Sequence, residues 1–200
     1  MVNSFLKYGS RMYVKRNTVI YEQGTTGDGL YLLVDGKIKI SMKVFDGKER
    51  ILEIQGNGQV LGEQSMDQNT YFSSATALED SVIYHFEYSI FQELIIKDIV
   101  VRDLFYNSMI DKLKLLGDII QLKSQSVEEQ LASSLLEISR KYNSYEIPLN
   151  QQQLSSYTGL TRITIYKVTK EWKECNLLTN RRGKLVIKNP EVLQRYISAI

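Results

Sequence analysis

Arg162, Thr164, Lys167 and Lys170 crowd one short stretch near the C-terminus, and these side chains are of the types that meet base edges and phosphates of a nucleic-acid duplex. The stretch around them, residues 149–169, reads as two helices about a glycine. Leu154 and Tyr157 fall on one face of a short first helix that runs into Gly159, and a second helix opens at Thr161 with Ile165, Val168 and Trp172 at helical spacing. Glycine suits the left-handed turn that sets two helices nearly perpendicular, and Thr161 is of the type that caps a helix N-terminus. Arg162, Lys167 and Lys170 then stand on the outward side. The spacing predicts a DNA-reading helix-turn-helix over about residues 150–169.

An ordinary pair of packed surface helices would share that pattern, and the downstream sequence separates the two. Residues 177–187 read as a short β-hairpin whose loop carries Arg181, Arg182, Lys184 and a glycine. A helix-turn-helix followed at once by a basic hairpin is the layout of a winged helix, in which the hairpin reaches a phosphate strand beside the groove. Residues 148–189 hold eight Lys/Arg against two acids, a local charge of +6 in a chain whose net charge is only +2. Thr161, Arg162, Ile163, Thr164 and Lys167 are therefore the expected base-reading set, with Arg162 offering paired N–H donors to guanine. Lys170, Arg181, Arg182 and Lys184 are the expected phosphate contacts, with Gln151 and Gln152 steadying the first helix.

The chain as a whole must position this segment. Its 200 residues suffice for one large or two modest domains, and 43% hydrophobic content with two prolines is the composition of a folded protein. No apolar run approaches the ~20 residues needed to cross a bilayer, and the first twenty residues lack the apolar core of a signal peptide. A cytoplasmic protein with no membrane partner is expected. Cys175 is the single cysteine, which excludes an internal disulfide and a cysteine-only zinc or iron–sulfur site within one chain, and a packing role is expected for it. Charge divides unevenly, with a net −2 over residues 1–97 and +4 over residues 98–200. An acidic front and a basic back suggest two jobs on one chain.

From Thr18 to Phe86 short alternating apolar runs are broken by turn residues. Asp35-Gly36 and Asp46-Gly47 are hairpin signals, because both residue types tolerate positive φ. Closely spaced strands with glycine turns predict a jelly roll or sandwich. The segment Ile20-Tyr-Glu-Gln-Gly24-Thr-Thr-Gly-Asp-Gly-Leu30-Tyr-Leu-Leu-Val-Asp-Gly36, followed by Gly58-Gln-Val-Leu-Gly62-Glu63, resembles the sensor barrel of the CRP/FNR family. That family joins a cyclic-nucleotide-binding-type barrel to a long dimerisation helix and a C-terminal winged helix, and the resemblance covers nearly the full chain in order and spacing. The fold it implies is α+β: residues 1–97 an effector-sensing β-barrel, 98–124 a dimerisation helix and hinge, and 125–200 a winged-helix DNA-binding domain.

Departures from the family pattern bear on function. In cyclic-nucleotide-binding members a Gly-Glu pair opens the ligand cassette, and an Arg-Ser-Ala triplet about ten residues on supplies the guanidinium that neutralises the phosphate. Here Gly62-Glu63 is present, but the triplet reads Ser73-Ser74-Ala75. A serine hydroxyl cannot replace a bidentate, charge-assisted pair, and its loss at a partly buried anion site costs about 2–5 kcal/mol. Cyclic AMP is therefore not the expected ligand. Iron–sulfur members need a cysteine cluster that this chain lacks. Haem-binding members use histidine, and the one histidine, His85, falls where an edge or surface position is expected. No cofactor is expected; an uncharged or weakly acidic effector, a peptide-like ligand, or none remains. Gly62, Glu63, Gln64, Tyr71, Phe72, Ser73 and Ser74 would line an effector pocket or fill a vestigial barrel core. The recognition segment departs too, with Ile163 standing where the family carries an acid after the arginine. An isoleucine offers apolar contact, for instance to a thymine methyl, and implies a more A·T-tolerant operator.

Residues 98–123 hold no Gly or Pro except Gly117, and Ile99, Tyr106, Met109, Leu113, Leu116 and Ile120 follow the step of a two-stranded coiled-coil seam. Leu104, Leu115, Ile119 and Leu122 widen the stripe toward the chain's own barrel. So broad an arc over a helix about 39 Å long predicts a homodimer. Two recognition helices related by a two-fold axis fit major-groove faces about 34 Å apart, so the expected target is an inverted repeat in double-stranded DNA, where RNA polymerase is a further candidate partner. A metal enzyme of the cupin kind needs two or three histidines, and no Ser-His-Asp or Cys-His set exists beyond pairs with His85, so no catalytic residues are expected. A protein-docking winged helix is the remaining rival, and the +6 cluster weighs against it.

Overall fold

A computed structural model of the chain describes residues 3–44, 47–66 and 69–197. The chain separates into two compact units, Met1–Leu116 and Gly117–Ile200, so the division falls inside the long helix. Among the described residues no helix is long and apolar enough to cross a membrane.

The first unit opens with α1 (Asn3–Leu6) and continues through β1 (Ser10–Val14), β2 (Val19–Tyr21), β3 (Gly29–Asp35), β4 (Ile38–Lys43), β5 (Glu49–Gln55), β6 (Val60–Leu61), β7 (Ser74–Ala77) and β8 (Ser81–Glu87). Two antiparallel four-stranded sheets, ordered β1-β8-β3-β6 and β2-β7-β4-β5, form the expected barrel. Strand β3 shows why its apolar run is continuous where a half-exposed strand would alternate. Tyr31 and Leu33 point between the sheets, among Tyr21, Ile38, Tyr71 and Ile83. Leu30 and Leu32 point the other way, into a second core with Phe86, Phe91 and Val101.

That second core is closed by α2 (Tyr88–Lys97) and the start of α3 (Ile99–Lys123). The two helices are divided at Asp98, whose extended backbone ends α2 and whose Oδ1 accepts from the Val100 N–H at 2.8 Å to cap α3. Residues 88–97, expected as part of the barrel, thus form a helix outside its two sheets.

Asp35-Gly36 does not close a hairpin. β3 pairs with β8 and β6 while β4 pairs with β5 and β7, so this dipeptide carries the chain from one sheet to the other. Gly36 lies at φ 113°, and a Cβ there would come within 2.2 Å of Ser81 Oγ. The residues that permit a tight hairpin equally permit a corner. β4 and β5 do form a hairpin, with Gly47 at φ 74° in its loop; Asp46 is outside the described residues.

The second unit contains α4 (Val127–Tyr142), β9 (Glu146–Ile147), α5 (Gln151–Thr158), α6 (Arg162–Glu174), β10 (Leu178–Arg181), β11 (Lys184–Ile187) and α7 (Pro190–Ile197). Leu131, Leu135, Ile138, Ile147, Ile165, Leu178 and Leu193 are its deepest side chains. Ser126 with Glu129 and Asn150 with Gln153 form reciprocal capping boxes at the starts of α4 and α5, each satisfying two backbone N–H groups that a helix start leaves open. Cys175, expected to pack, is exposed beyond the last turn of α6.

Candidate nucleic-acid interface and barrel interior

The turn between α5 and α6 is built by local side-chain bonds. Gly159 takes φ 78° and its N–H returns to the Ser155 carbonyl at 2.9 Å. Thr158 Oγ1 donates to the Leu154 carbonyl at 2.8 Å and accepts from Leu160 N–H at 3.1 Å, while Ser155 Oγ donates to the Leu160 carbonyl at 2.7 Å. Thr161 caps α6 by accepting from Thr164 N–H at 3.1 Å. Ile165, Val168, Thr169 and Trp172 bury one face of α6, with Trp172 stacked obliquely on Tyr196 at 5.2 Å. The orientation of α6 on its unit is thus fixed from beneath and from its N-terminus.

The opposite face is left to solvent. Arg162, Ile163, Tyr166, Lys167 and Lys170 are exposed, whereas Thr164 is half-buried and its Oγ1 is held 2.8 Å from Thr161 Oγ1 in the cap. Of the expected base-reading set, Arg162, Ile163 and Lys167 stand free at the surface, and Thr161 and Thr164 form the cap that aims them. Gln151 and Gln152 are exposed in the first turn of α5. Tyr166 was not singled out from the sequence; its place between Ile163 and Lys170 on the outward stripe is the signal that would have found it.

The hairpin is as expected, with a third strand. β10 and β11 pair from Leu178↔Ile187 to Arg181↔Lys184, and β9 adds to the far side of β11. Its two-residue turn is Arg182-Gly183, with both residues at positive φ, 50° and 80°. An arginine in the left-handed region is strained where asparagine or glycine would not be, by about 1–2 kcal/mol. The exposed tip so formed carries Arg181, Arg182 and Lys184. Lys170 lies 4.0 Å from Glu174 and Lys184 3.9 Å from Glu146, both solvent-exposed pairs. Among the described residues Arg162, Lys167, Arg181 and Arg182 have no acidic partner.

In the barrel the expected effector residues are turned mostly inward onto one another. Tyr21, Tyr31 and Tyr71 stack in the interior, with ring centroids 4.2 Å apart for Tyr21–Tyr71 and 6.1 Å for Tyr21–Tyr31. Gln64 Nε2 donates to Ser73 Oγ at 2.8 Å and to Tyr21 Oη at 3.2 Å, and its Oε1 accepts from Phe72 N–H at 2.9 Å. Ser74 Oγ accepts from Gln23 N–H at 2.9 Å. Burial, and then the nearby Glu63 carboxylate, push the Tyr21 phenol well above its ordinary value, so it stays neutral. Gly62, at φ 86°, starts the single 3₁₀ turn that carries Glu63 and Gln64. Phe72 alone of this set turns outward, 59% exposed.

Glu63 has a partner that no local pattern announced. Its carboxylate, 7% exposed, is ion-paired with Lys112 of α3, whose ammonium also donates to the Val60 carbonyl at 3.2 Å and to Ser108 Oγ at 3.0 Å. Three acceptors use all three ammonium protons. A cleft of about 430 Å³ runs beside α3, touching Gln59, Val60, Asp103, Asn107 and Lys112, and none of the expected effector residues lines it.

His85, expected at an edge or surface, lies on β8 between β1 and β3. It is half-buried, stacked on Tyr31 at 4.6 Å, with Nε2 3.3 Å from Asp28 Oδ1 but not aligned for a hydrogen bond. Alternation along the strand could not show that a neighbour covers it on each side. Among the described residues no group of three or more His, Cys, Asp or Glu side chains gathers as a metal site.

Along α3, Val101 is buried and Val100, Leu104 and Phe105 pack on the barrel's outer core. The seam face is bare: Ile99, Tyr106, Leu113, Leu116 and Ile120 are 56–72% exposed. Met109 is half-buried, and Ile110, not in the expected set, joins the exposed stripe. Leu115, Ile119 and Leu122 are partly buried.

An antiparallel sensor-type barrel followed by a helix-turn-helix with a basic hairpin defines a class of regulators, and comparison with known proteins supports that class. Residues 11–98 match the family model of the cyclic nucleotide-binding domain, and residues 129–196 match that of the Crp-like helix-turn-helix domain. The cyclic AMP receptor protein of Thermus thermophilus is 25% identical over 199 residues, spanning 96% of this chain and 90% of its own. A CRP-like cAMP-activated global transcriptional regulator of Mycobacterium tuberculosis is 22% identical over 189 residues, spanning 90% and 84%. Among solved structures, a CRP/FNR-family transcriptional regulator of Thermus thermophilus superposes with a TM-score of 0.84 at 18% identity, covering 94% of this chain and 98% of the other. The c-di-GMP responsive regulator CLP of Xanthomonas campestris superposes at 0.80 and 19%, covering 93% and 97%. The chain belongs to the CRP/FNR family of DNA-binding transcriptional regulators, and these relatives are regulators rather than enzymes.

Proposed function

We propose that the protein acts as a homodimer that binds an inverted-repeat promoter site, with one α6 in each of two successive major-groove faces. The observation that carries this is the pairing of two unsatisfied surfaces: free cations on α6 and the hairpin tip, and a bare apolar stripe on α3. Five large apolar side chains left in water along one helix face form a patch of the kind that marks an interface. A second copy of the same helix is the self-complementary partner for such a stripe. Arg162 reads a base, Ile163 and Lys167 flank it, and Lys170, Arg181, Arg182 and Lys184 hold phosphates, with Gln151 and Gln152 steadying α5. Selection from a pool of random duplexes at two salt concentrations tests this reading. An inverted repeat should emerge, with affinity falling steeply as salt rises; a pool that stays random would refute it.

Two readings of the barrel follow from the same family. In one, a small effector other than cyclic AMP enters and shifts the packing of the long helices; relatives respond to cAMP or to c-di-GMP. In the other, the barrel works without an effector. The tyrosine stack, the Gln64 bonds and the Lys112–Glu63 pair favour the second, because most of the side chains that would meet a ligand already partner one another. The buried Glu63 Oε2, with no hydrogen-bond partner among the described residues, is the one acceptor of this set left that favours the first. DNA affinity measured before and after denaturing and refolding the protein free of small molecules distinguishes them: no change is expected, and a loss restored by cell extract would establish an effector.

A further inference from the structure

The outward stripe of α6 is not purely cationic. Ile163 is 70% exposed and Tyr166 is 55% exposed, on a helix whose other large apolar side chains, Ile165, Val168 and Trp172, are all buried. Three residues apart, they are neighbours on one face, with Cβ atoms about 5–6 Å from each other. Exposed Arg162 stands at their N-terminal side, and exposed Lys167 and Lys170 lie one turn further on. The pair therefore sits at the centre of the face that the proposed DNA reading turns into the groove.

A major groove presents hydrogen-bond donors and acceptors along its floor and only one apolar group, the C5-methyl of thymine. An apolar side chain that removes water from a donor or acceptor without replacing its bond weakens binding, so two such side chains side by side disfavour most base pairs and favour thymine. Successive bases on one strand rise by about 3.4 Å, so a 5–6 Å separation spans one to two base steps.

We propose that Ile163 and Tyr166 act as a methyl-reading pair, each packing on the C5-methyl of a different thymine, one or two steps apart, in each half-site. This deepens the DNA reading above and rests on it. Tyr166 is thereby a specificity-determining residue, acting through its ring and not its hydroxyl, beside Arg162, which reads by hydrogen bonds.

The test uses the full-length protein and the duplex recovered by selection. Replacing one thymine at a time by uracil removes the methyl and leaves the base pairing intact. At two thymines of each half-site the loss should be about fourfold per methyl, the equivalent of one buried CH₂, and 5-methylcytosine at those positions should retain part of the contact that cytosine loses. Ile163→Ala should abolish the uracil penalty at one of the two positions and Tyr166→Ala at the other, while Tyr166→Phe keeps it. Equal affinity for thymine and uracil duplexes would overturn the proposal, as would a Tyr166→Phe variant as insensitive as Tyr166→Ala. A pool with no selected sequence would instead overturn the DNA reading itself.

Discussion

The barrel and the winged unit dispose of the same kinds of side chain in opposite directions. In the barrel, Tyr21, Gln64, Ser73 and Glu63 face inward and find partners within the chain, the last through Lys112. In the winged unit, Arg162, Tyr166, Lys167, Arg181 and Arg182 face outward, the four cations with no acidic partner among the described residues. A polar group already bonded inside a protein contributes to stability and has little left to offer a ligand. A free exposed donor contributes almost nothing to stability and is available to a partner. The polar side chains of the barrel interior are thus bonded largely to one another, while in the winged unit Thr161 and Thr158 hold the turn and cap beside the free ones.

Substitutions should therefore separate the two regions by which measurement they move. The largest expected effect is at Tyr71, 2% exposed in the tyrosine stack. Tyr71→Ala should lower unfolding free energy by about 3–5 kcal/mol in urea titration, while the folded fraction keeps its DNA affinity. A lost DNA affinity without lost stability would show that the barrel interior is a working site. In the other direction, Arg162→Ala should weaken binding to the selected duplex by about 1–3 kcal/mol, relax one base position, and leave the urea midpoint unchanged.

Arg182 should move both quantities with opposite signs. Replacing it by asparagine relieves a strained positive φ and should stabilise the unit by up to about 1 kcal/mol. The same change should weaken binding to all duplexes alike and reduce the salt slope by about one. An unchanged stability in Arg182→Asn would show that the positive φ carries no strain, and an unchanged salt slope would show that the tip makes no phosphate contact.

The smallest expected effect is a pH dependence at the start of α4. The Ser126 hydroxyl and backbone N–H hold the Glu129 carboxyl below the usual carboxylate range. A carboxyl lowered on folding stabilises above its unfolded pKa, and that contribution is lost as pH falls through the lower folded value. Thermal melts across the acid range should show this loss in the parent and a flatter profile in Glu129→Gln.

What the sequence could disclose follows from how local each feature is. Periodic apolar spacing marked α3, α4 and the buried face of α6, and the cap at Thr161 and the turn at Gly159 follow from residue type alone. The wing was legible as a basic hairpin, though β9, two residues long, has no periodicity to read. Features that depend on through-space partners were not legible. Lys112 meets Glu63 only because α3 returns across the barrel, and His85 is covered only because β1 and β3 flank β8. Asp35-Gly36 read as a hairpin because turn chemistry does not say whether the next strand joins the same sheet. Cys175 and Tyr166 show the finer limit, since one residue along a helix separates a buried position from an exposed one.

Stoichiometry on DNA tests the central claim most directly. The full-length chain is titrated by fluorescence anisotropy onto the selected inverted repeat and onto the same half-sites placed head to tail, at one fixed salt concentration. A dimer that presents two α6 helices about a two-fold axis predicts two chains per duplex and at least a hundredfold preference, about 2.7 kcal/mol or more, for the inverted arrangement. One chain per duplex, or equal affinity for both arrangements, would contradict it.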